Sequence, residues 1–273
     1  MSGKLYIVGT PIGNLSDFSP RAVETLNNVD FLAVEDTRVT VKLLNHFGIK
    51  KEMLAYYEHN KNSKGNLIIE RLLNGETCAL VSDAGMPAIS DPGEDLVRVA
   101  HENGIEVESV PGPSAVITAL AISGMPSGRF CFEGFLTMNK IGRREHLDSL
   151  KNETRTMIFY EAPHKLTATL GDMLKYFGNR KIAIVRELTK IHETVMHTTL
   201  EDALAYYNEN DPRGEFVLIV SGADKEKETY TLEDAVKIAQ KLIDDGMSTS
   251  SAAKEAATLT GQKKGEIYKS ILK

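Results

Sequence analysis

Along this chain, short apolar runs alternate with stretches whose apolar residues recur at helical spacing. In the first half the runs are residues 5–8, 31–34, 53–57, 78–81 and 106–110. Between them, 20–27 opens at Ser19-Pro20, 66–74 stops at Gly75, and 93–103 closes at Gly104. Ser before Pro marks a helix start, and Gly after the last apolar position marks a stop. Strands alternating with helices predict a parallel sheet covered by helices on both faces. Pro111-Gly112-Pro113 then predicts a stiff turn that acts as a hinge. An apolar helix follows to Ile122. The alternation resumes with strands at 130–135, 156–160, 181–185 and 216–220, and helices at 143–150, 164–176 and 200–208.

After Gly222 the character changes. Ala223 to Thr229 reads as a charged linker, and the pattern predicts three short helices at 232–244, 248–258 and 263–272, arranged like a helix-turn-helix unit. The chain therefore divides into an N-terminal α/β domain (1–112), a second α/β domain (113–222) and a helical module (223–273). Composition agrees with a globular protein: of 273 residues, 42% are hydrophobic and 26% charged. The net charge of -6 gives no global basic field, so a nucleic-acid partner needs a local basic face. The last 25 residues hold five Lys against two Glu. The module is thus either a packing cap or an accessory RNA-binding unit. Cys78 and Cys131 lie in apolar runs, as reduced core thiols do, and no Cys/His spacing suggests zinc or another metal. No apolar run nears 18 residues and no secretory pattern opens the chain, so the expected location is cytoplasmic, with no membrane partner.

Polar chemistry gathers where strands end, the edge at which open α/β sheets bind ligands. The most informative stretch is residues 78–93. It leaves a buried strand, passes through Ser82-Asp83-Ala84-Gly85-Met86-Pro87, and restarts a helix at Asp91-Pro92-Gly93. Gly85 lets backbone approach a ligand, and Asp83 can accept hydrogen bonds from a ribose or an amine. The first loop, Gly9-Thr10-Pro11-Ile12-Gly13-Asn14, is neither a G-x-G-x-x-G nor a P-loop sequence, which disfavours dinucleotide and nucleoside-triphosphate chemistry. Glu35-Asp36-Thr37-Arg38 and Glu58-His59-Asn60 end further strands. The first is either a proton-accepting pair or a helix cap with a salt bridge, and His59 is either functional or structural. Tyr160-Glu161-Ala162-Pro163-His164 and Arg186-Glu187-Leu188-Thr189-Lys190 end strands of the second half. Between 139 and 155, Lys140, Arg143, Arg144, Lys151 and Arg155 face three acids, either a phosphate-contacting patch or a solvated helix face.

Five ordered motifs, Val8 to Leu15, Val34 to Arg38, Val81 to Pro87, Val110 to Ala115 and Tyr160 to His164, together resemble one family. It is the bacterial 16S ribosomal RNA cytidine 2′-O-methyltransferases of the tetrapyrrole methylase superfamily. The likeness spans about residues 4–222 and continues more loosely into the tail. It implies two α/β domains with S-adenosylmethionine in the cleft between them, a homodimer, and methylation of a cytidine ribose in the decoding region of the small subunit. Transferred by motif, the cofactor contacts are Pro11, Ser82, Asp83, Met86, Ser114, Ala115, Glu161 and Leu188. Where tetrapyrrole relatives usually carry Gly-Gly-Asp, this chain has Val81-Ser82-Asp83, which puts one backbone contact in doubt. Glu35, Asp36 and His59 are then candidates for base or ribose positioning. Arg38, Arg144, Arg186 and Lys190 are candidates for phosphate contacts. The alternatives are a tetrapyrrole C-methyltransferase acting on a small molecule and a non-catalytic ribosome-assembly factor.

Overall fold

The structure, a computed structural model, describes residues 2–224 and 230–272, so residues 225–229 of the expected linker lie outside the described part. The chain forms two compact units, one through Ala223 and one from Asp224. In the first unit, strands β1 (Lys4–Val8), β2 (Phe31–Val34), β3 (Glu52–Ala55), β4 (Cys78–Val81) and β5 (Glu106–Val110) form a sheet in the order β3-β2-β4-β1-β5. Every pair in it is parallel, as the alternation predicts. Helices α1 (Pro20–Asn28), α2 (Thr37–His46), α3 (Lys61–Leu73) and α4 (Gly93–Glu102) supply the crossovers.

The continuous apolar runs of β2 and β4 follow from coverage on both faces. Phe31 and Ala33 point to one face, against Ile68 and Leu72 of α3 and Leu96 and Ala100 of α4. Leu32 and Val34 point to the other, against Ala22 and Leu26 of α1 and Leu44 of α2. Helix α2, absent from the predicted elements, buries Thr40 and Leu44 and packs Leu43 and the following Phe47 against the same core.

The second half departs further from the pattern. Strands β6 (Phe130–Phe135), β7 (Thr156–Glu161), β8 (Lys181–Arg186), β9 (Thr194–Thr199) and β10 (Phe216–Val220) form a mixed sheet in the order β6-β7-β10-β8-β9. Only β6 and β7 run parallel; β10 is antiparallel to both β7 and β8, and β9 is antiparallel to β8. Residues 187–193 are too few for a helical crossover, so the chain turns straight back. The sequence predicts no strand at β9, whose Thr- and His-rich run sits half-exposed at the sheet edge. Helix α5 (Ala115–Ile122) packs Val116, Ala119 and Leu120 on one face. Helices α6 (Lys140–Leu150), α7 (Leu166–Phe177) and α8 (Leu200–Glu209) cover the other. Cys78 is fully buried, whereas Cys131 is only half-buried. Burial pushes both thiols up, Cys131 to about 12, so neither is a reactive thiolate at neutral pH.

The second unit holds α9 (Leu232–Asp244), α10 (Thr249–Thr260) and α11 (Lys264–Ile271). A Thr231–Asp234 capping box starts α9, Ser248 caps α10, and Gly261 in the left-handed conformation ends it. Ala235, Ala239, Ala252, Ala253, Ala256 and Ile267 form its core, small side chains that let the helices approach closely.

The predicted stiff turn is also a point of close backbone contact. A Cβ at Gly9 would lie 2.7 Å from the Gly112 Cα and 2.7 Å from Met86 Sδ; one at Gly112 would lie 2.8 Å from the Gly9 backbone. Gly9→Ala and Gly112→Ala should each destabilise the protein by about 1–3 kcal/mol, the usual range for overpacking. Gly128→Ala, with open space around its Cβ, should change stability by less than about 0.5 kcal/mol. Urea unfolding of the three variants measures the difference, and equal midpoints would mean that the contact relaxes without cost.

Candidate active site

Strands β1 and β4 are neighbours, yet β1 leads to α1 on one face of the sheet and β4 to α4 on the other. Their diverging loops open a crevice at a topological switch point. The two loops are tied together. Thr10 and Gly85 exchange backbone hydrogen bonds of 2.9 and 3.2 Å, and the buried Thr10 hydroxyl donates to the Ser82 carbonyl at 3.2 Å. Gly85 sits at φ +86°, a conformation in which a side chain would be strained. The Gly112 amide donates to Met86 Sδ at 3.3 Å, which joins the loop after β5 to the same assembly.

A cavity of about 660 Å³ lies at this crevice and extends onto the second sheet. That volume falls within the roughly 300–1,000 Å³ typical of small-molecule sites. Ser82, Asp83 and Ala84 line it from the first half, with Ile89, Ser90 and Asp91. Ala115 of α5, Phe135 of β6, Tyr160 and Glu161 of β7, and Leu188 after β8 line it from the second. Of the predicted cofactor contacts, Ser82, Asp83, Ala115, Glu161 and Leu188 therefore share one cavity. Pro11, Met86 and Ser114 do not line it: Pro11 precedes the lining residue Ile12, Met86 packs against Gly9 and Gly112, and Ser114 precedes α5.

Glu35 also lines the cavity, whereas Asp36 and His59 do not. His59 lines a second cavity of about 530 Å³ that shares Glu35, Ser90 and Asp91 with the first. Asp36 caps α2 by accepting from the Arg38 amide at 2.8 Å, and the Arg38 guanidinium grips the same carboxylate, Nη2 to Oδ2 at 2.6 Å. Hydrogen bonds from Arg38 hold Asp36 down at about 2, so it stays ionised and occupied. The cap-and-salt-bridge alternative thus describes the geometry of Asp36 and Arg38.

Glu35 and Asp83 shift the other way. Burial first, then the Asp83 charge, raise the Glu35 carboxyl above the ordinary carboxylate range. Burial first likewise raises Asp83, whose Oδ1 accepts from the Asp36 amide at 3.1 Å. Two neighbouring carboxylates both raised by burial at a cavity wall mark a candidate acid–base site. Glu161 is 4% exposed and is held by one bond at each oxygen: Oε1 accepts from the Ala162 amide at 2.9 Å and Oε2 from the Thr169 hydroxyl at 2.5 Å. Thr169 in turn accepts from Arg143 at 2.9 Å, and Arg143 pairs with Asp172 at 2.7 Å.

The cations proposed for phosphate contact lie outside the cavity. Lys190 pairs with Glu187 and Glu215 at 2.9 and 2.8 Å, and Arg186 donates to the Arg213 carbonyl at 2.7 Å. Arg144 is exposed on α6 and has no ion-pair partner among the described residues. Sequence reasoning missed Ser90, Phe135 and Tyr160 as site residues. Phe135 and Tyr160 pack tilted with ring centroids 5.4 Å apart at the cavity wall; in sequence Phe135 is an ordinary strand aromatic, and Tyr160 stands only as the first residue of the Tyr160 to His164 motif, with no role of its own.

Comparison with known proteins places this geometry among others. The model of the tetrapyrrole (corrin/porphyrin) methylases matches residues 4–204. A ribosomal RNA small subunit methyltransferase I from Xylella fastidiosa (strain Temecula1) is 49% identical, over 97% of this chain and 98% of its own. One from Synechocystis is 45% identical, over 97% and 96%. The uroporphyrin-III C-methyltransferase of Thermus thermophilus, solved with S-adenosyl homocysteine, superposes with a TM-score of 0.55 at 16% identity, covering 80% of this chain and 97% of that one.

The raised Glu35 has a consequence for stability. The folded protein binds the Glu35 proton more tightly than the unfolded chain does. That contribution is present at acid pH and is lost as pH rises through the raised value. Glu35→Gln should therefore be more stable than the parent at neutral pH, with the gap closing toward the ordinary carboxylate pKa of about 4. Urea unfolding across a pH series measures the gap, and a constant difference at every pH would contradict a buried, strained charge.

Proposed function

The chain belongs to the tetrapyrrole (corrin/porphyrin) methylases and, among them, to the ribosomal RNA small subunit methyltransferase I family, and we propose that it methylates the ribose 2′-hydroxyl of a cytidine in 16S ribosomal RNA with S-adenosylmethionine as donor. The observation that carries this reading is the charge of the cleft. Five carboxylates line it, Glu35, Asp83, Asp91, Glu161 and Glu215, against His164 as the one basic side chain. Such a wall suits a ligand that bears a sulfonium and an ammonium. Ile12, Ile89, Ala115, Val185 and Leu188 supply the apolar surface that an adenine ring requires.

S-adenosylmethionine, when bound, supplies an electrophilic methyl group on sulfur. Asp83 and Glu161 hold hydroxyl and ammonium donors, while Ser82, Ala115 and Leu188 shape the pocket. Pro11, Met86 and Ser114 act one step back, by fixing the loops. Transfer forms an oxygen–carbon bond as the carbon–sulfur bond breaks, and the hydroxyl proton must leave. Glu35 takes it: the carboxylate is half-buried, lines the cleft and has its proton affinity raised by burial, the direction that favours a general base. Asp36, held by Arg38, orients the start of α2, and His59 positions the substrate from the adjoining cavity. Most of the rate enhancement then comes from alignment of hydroxyl and methyl group.

The three-part division at residues 112 and 222 gives the first domain the proton acceptor and the second the buried Glu161. Of the four cations expected at RNA phosphates, Arg144 and Arg186 keep that role, whereas Arg38 and Lys190 are held by carboxylates of the protein itself. The partner is the small ribosomal subunit and the working form is a cytoplasmic homodimer, in keeping with the family resemblance. Among the described residues, no helix is long and apolar enough to cross a membrane.

Purified protein incubated with radiolabelled S-adenosylmethionine and small subunits from a strain lacking this gene should place label in 2′-O-methylcytidine. Glu35→Gln should lower the turnover number about 10²- to 10⁴-fold with cofactor binding retained. Label in a tetrapyrrole and none in RNA would overturn the substrate, and a near-parental rate in Glu35→Gln would remove it as base.

A further inference from the structure

A second groove, about 470 Å³, lies between α6 and α7. Its charge is opposite to that of the cleft. Lys140, Arg143 and Arg144 come from α6, and His164, Lys165 and Lys175 come from the segment that starts and forms α7. Asp172 is the only acid in its lining, and Arg143 already neutralises it. Among the described residues, Lys140, Arg144, Lys165 and Lys175 have no carboxylate within ion-pair distance. Arg38 and Lys190 differ, since both are already paired. Free cations gathered in one concave surface of a chain with net charge -6 form a local attraction for a polyanion.

The groove adjoins the cleft. His164 lines both cavities. The chain Asp172–Arg143–Thr169–Glu161 also fixes the groove floor to a buried carboxylate in the cleft wall, through contacts of 2.7, 2.9 and 2.5 Å. At the groove lip, Met138 is 72% exposed, an apolar surface beside the cations.

We propose that this groove binds the phosphodiester backbone of single-stranded RNA flanking the nucleotide whose ribose enters the cleft. The acidic cleft repels phosphate, so the strand needs cations beside it, and the groove places them within one shared residue of the opening. Base contacts are not required of it, because phosphate contacts set register and not sequence. The inference rests on RNA being the substrate, and the experiment separates the two.

The test compares Arg144→Glu/Lys165→Glu with the parent and with Lys50→Glu, an exposed lysine outside the groove. Binding of unmethylated small subunits is measured by co-sedimentation at several salt concentrations, beside turnover and calorimetric affinity for S-adenosylhomocysteine. The double variant should bind subunits roughly tenfold or more weakly, with a log–log salt slope shallower by about 1.5–2. Its Michaelis constant for subunits should rise in parallel, with the turnover number and cofactor affinity held; Lys50→Glu should match the parent. Unchanged subunit affinity and salt slope in the double variant would overturn the groove. So would unchanged RNA affinity with an altered oligomeric state, which would assign the face to a second copy of the chain. Subunit binding that needs the groove, without methyl transfer by the parent, would leave the groove standing and refute the methyltransferase reading alone.

Discussion

The contact on which the rest of the site depends is the meeting of two backbones at Gly9 and Gly112. No side chain fits between them, so the loop after β1 and the turn after β5 are held at a distance only glycine allows. Met86 closes the third side by accepting from the Gly112 amide, and the Thr10–Gly85 bridge pins the loop after β4. Three loops from three strands thus become one rigid unit at the carboxyl edge of the sheet. Gly13 extends it: a Cβ there would lie 2.6 Å from Lys190 and 2.8 Å from Thr189, both on the loop after β8. The two halves of the first unit thus approach each other at Gly13, where the loop after β1 lies against the side chains of Thr189 and Lys190.

A methyl donor that carries positive charge and a substrate that carries one negative charge per nucleotide make opposite demands on a protein surface. The fold meets them by position. Carboxylates gather where strands of both sheets end, and lysines and arginines gather on the outer faces of α6 and α7. Asp36 and Arg38 show why sequence proximity misleads here: Arg38 is spent on the neighbouring carboxylate, so neither is a free partner for a ligand. Glu35, one residue earlier, points to the cleft and keeps an unusual proton affinity because Asp83 and burial act on it together.

The parallel half was legible because its strands are buried on both faces and its helices carry clean stops, as at Gly75 and Gly104. The break after β5 was legible for a related reason, since two prolines around a glycine leave the backbone few choices. What escaped was structure whose signal is tertiary. Strand β9 is polar and half-exposed, and only pairing with β8 makes it a strand. Antiparallel β10 looks, in sequence, like any fully buried parallel strand. At the site, motif residues at strand ends came together, but the split of Glu35 from Asp36 depends on which carboxylate the Arg38 side chain reaches. The wall formed by Phe135 and Tyr160 depends on the register of β6 with β7, and local composition encodes neither.

Backbone strain shows where the fold is held against its own preference. Among the described residues, four that are not glycine adopt a left-handed conformation: Ala88, Ser90, Glu187 and Thr189. All four lie beside cleft-lining residues, two on each half. Each costs about 1–3 kcal/mol, so together they approach the ~5–15 kcal/mol of net stability a domain usually has. They persist because their surroundings fix them. Asp91 Oδ1 accepts from the amides of Ala88 and Gly93 at 3.0 and 2.7 Å, and Glu187 Oε1 accepts from the Glu215 amide at 3.0 Å. The Thr189 amide donates to Glu193 at 2.6 Å. Folding alone gains nothing from such turns, since a glycine at any of these positions would relieve the strain. On the first rim the brace is Asp91, a carboxylate that the cleft itself displays, so pocket shape and charge position are tied there: moving Asp91 would change both.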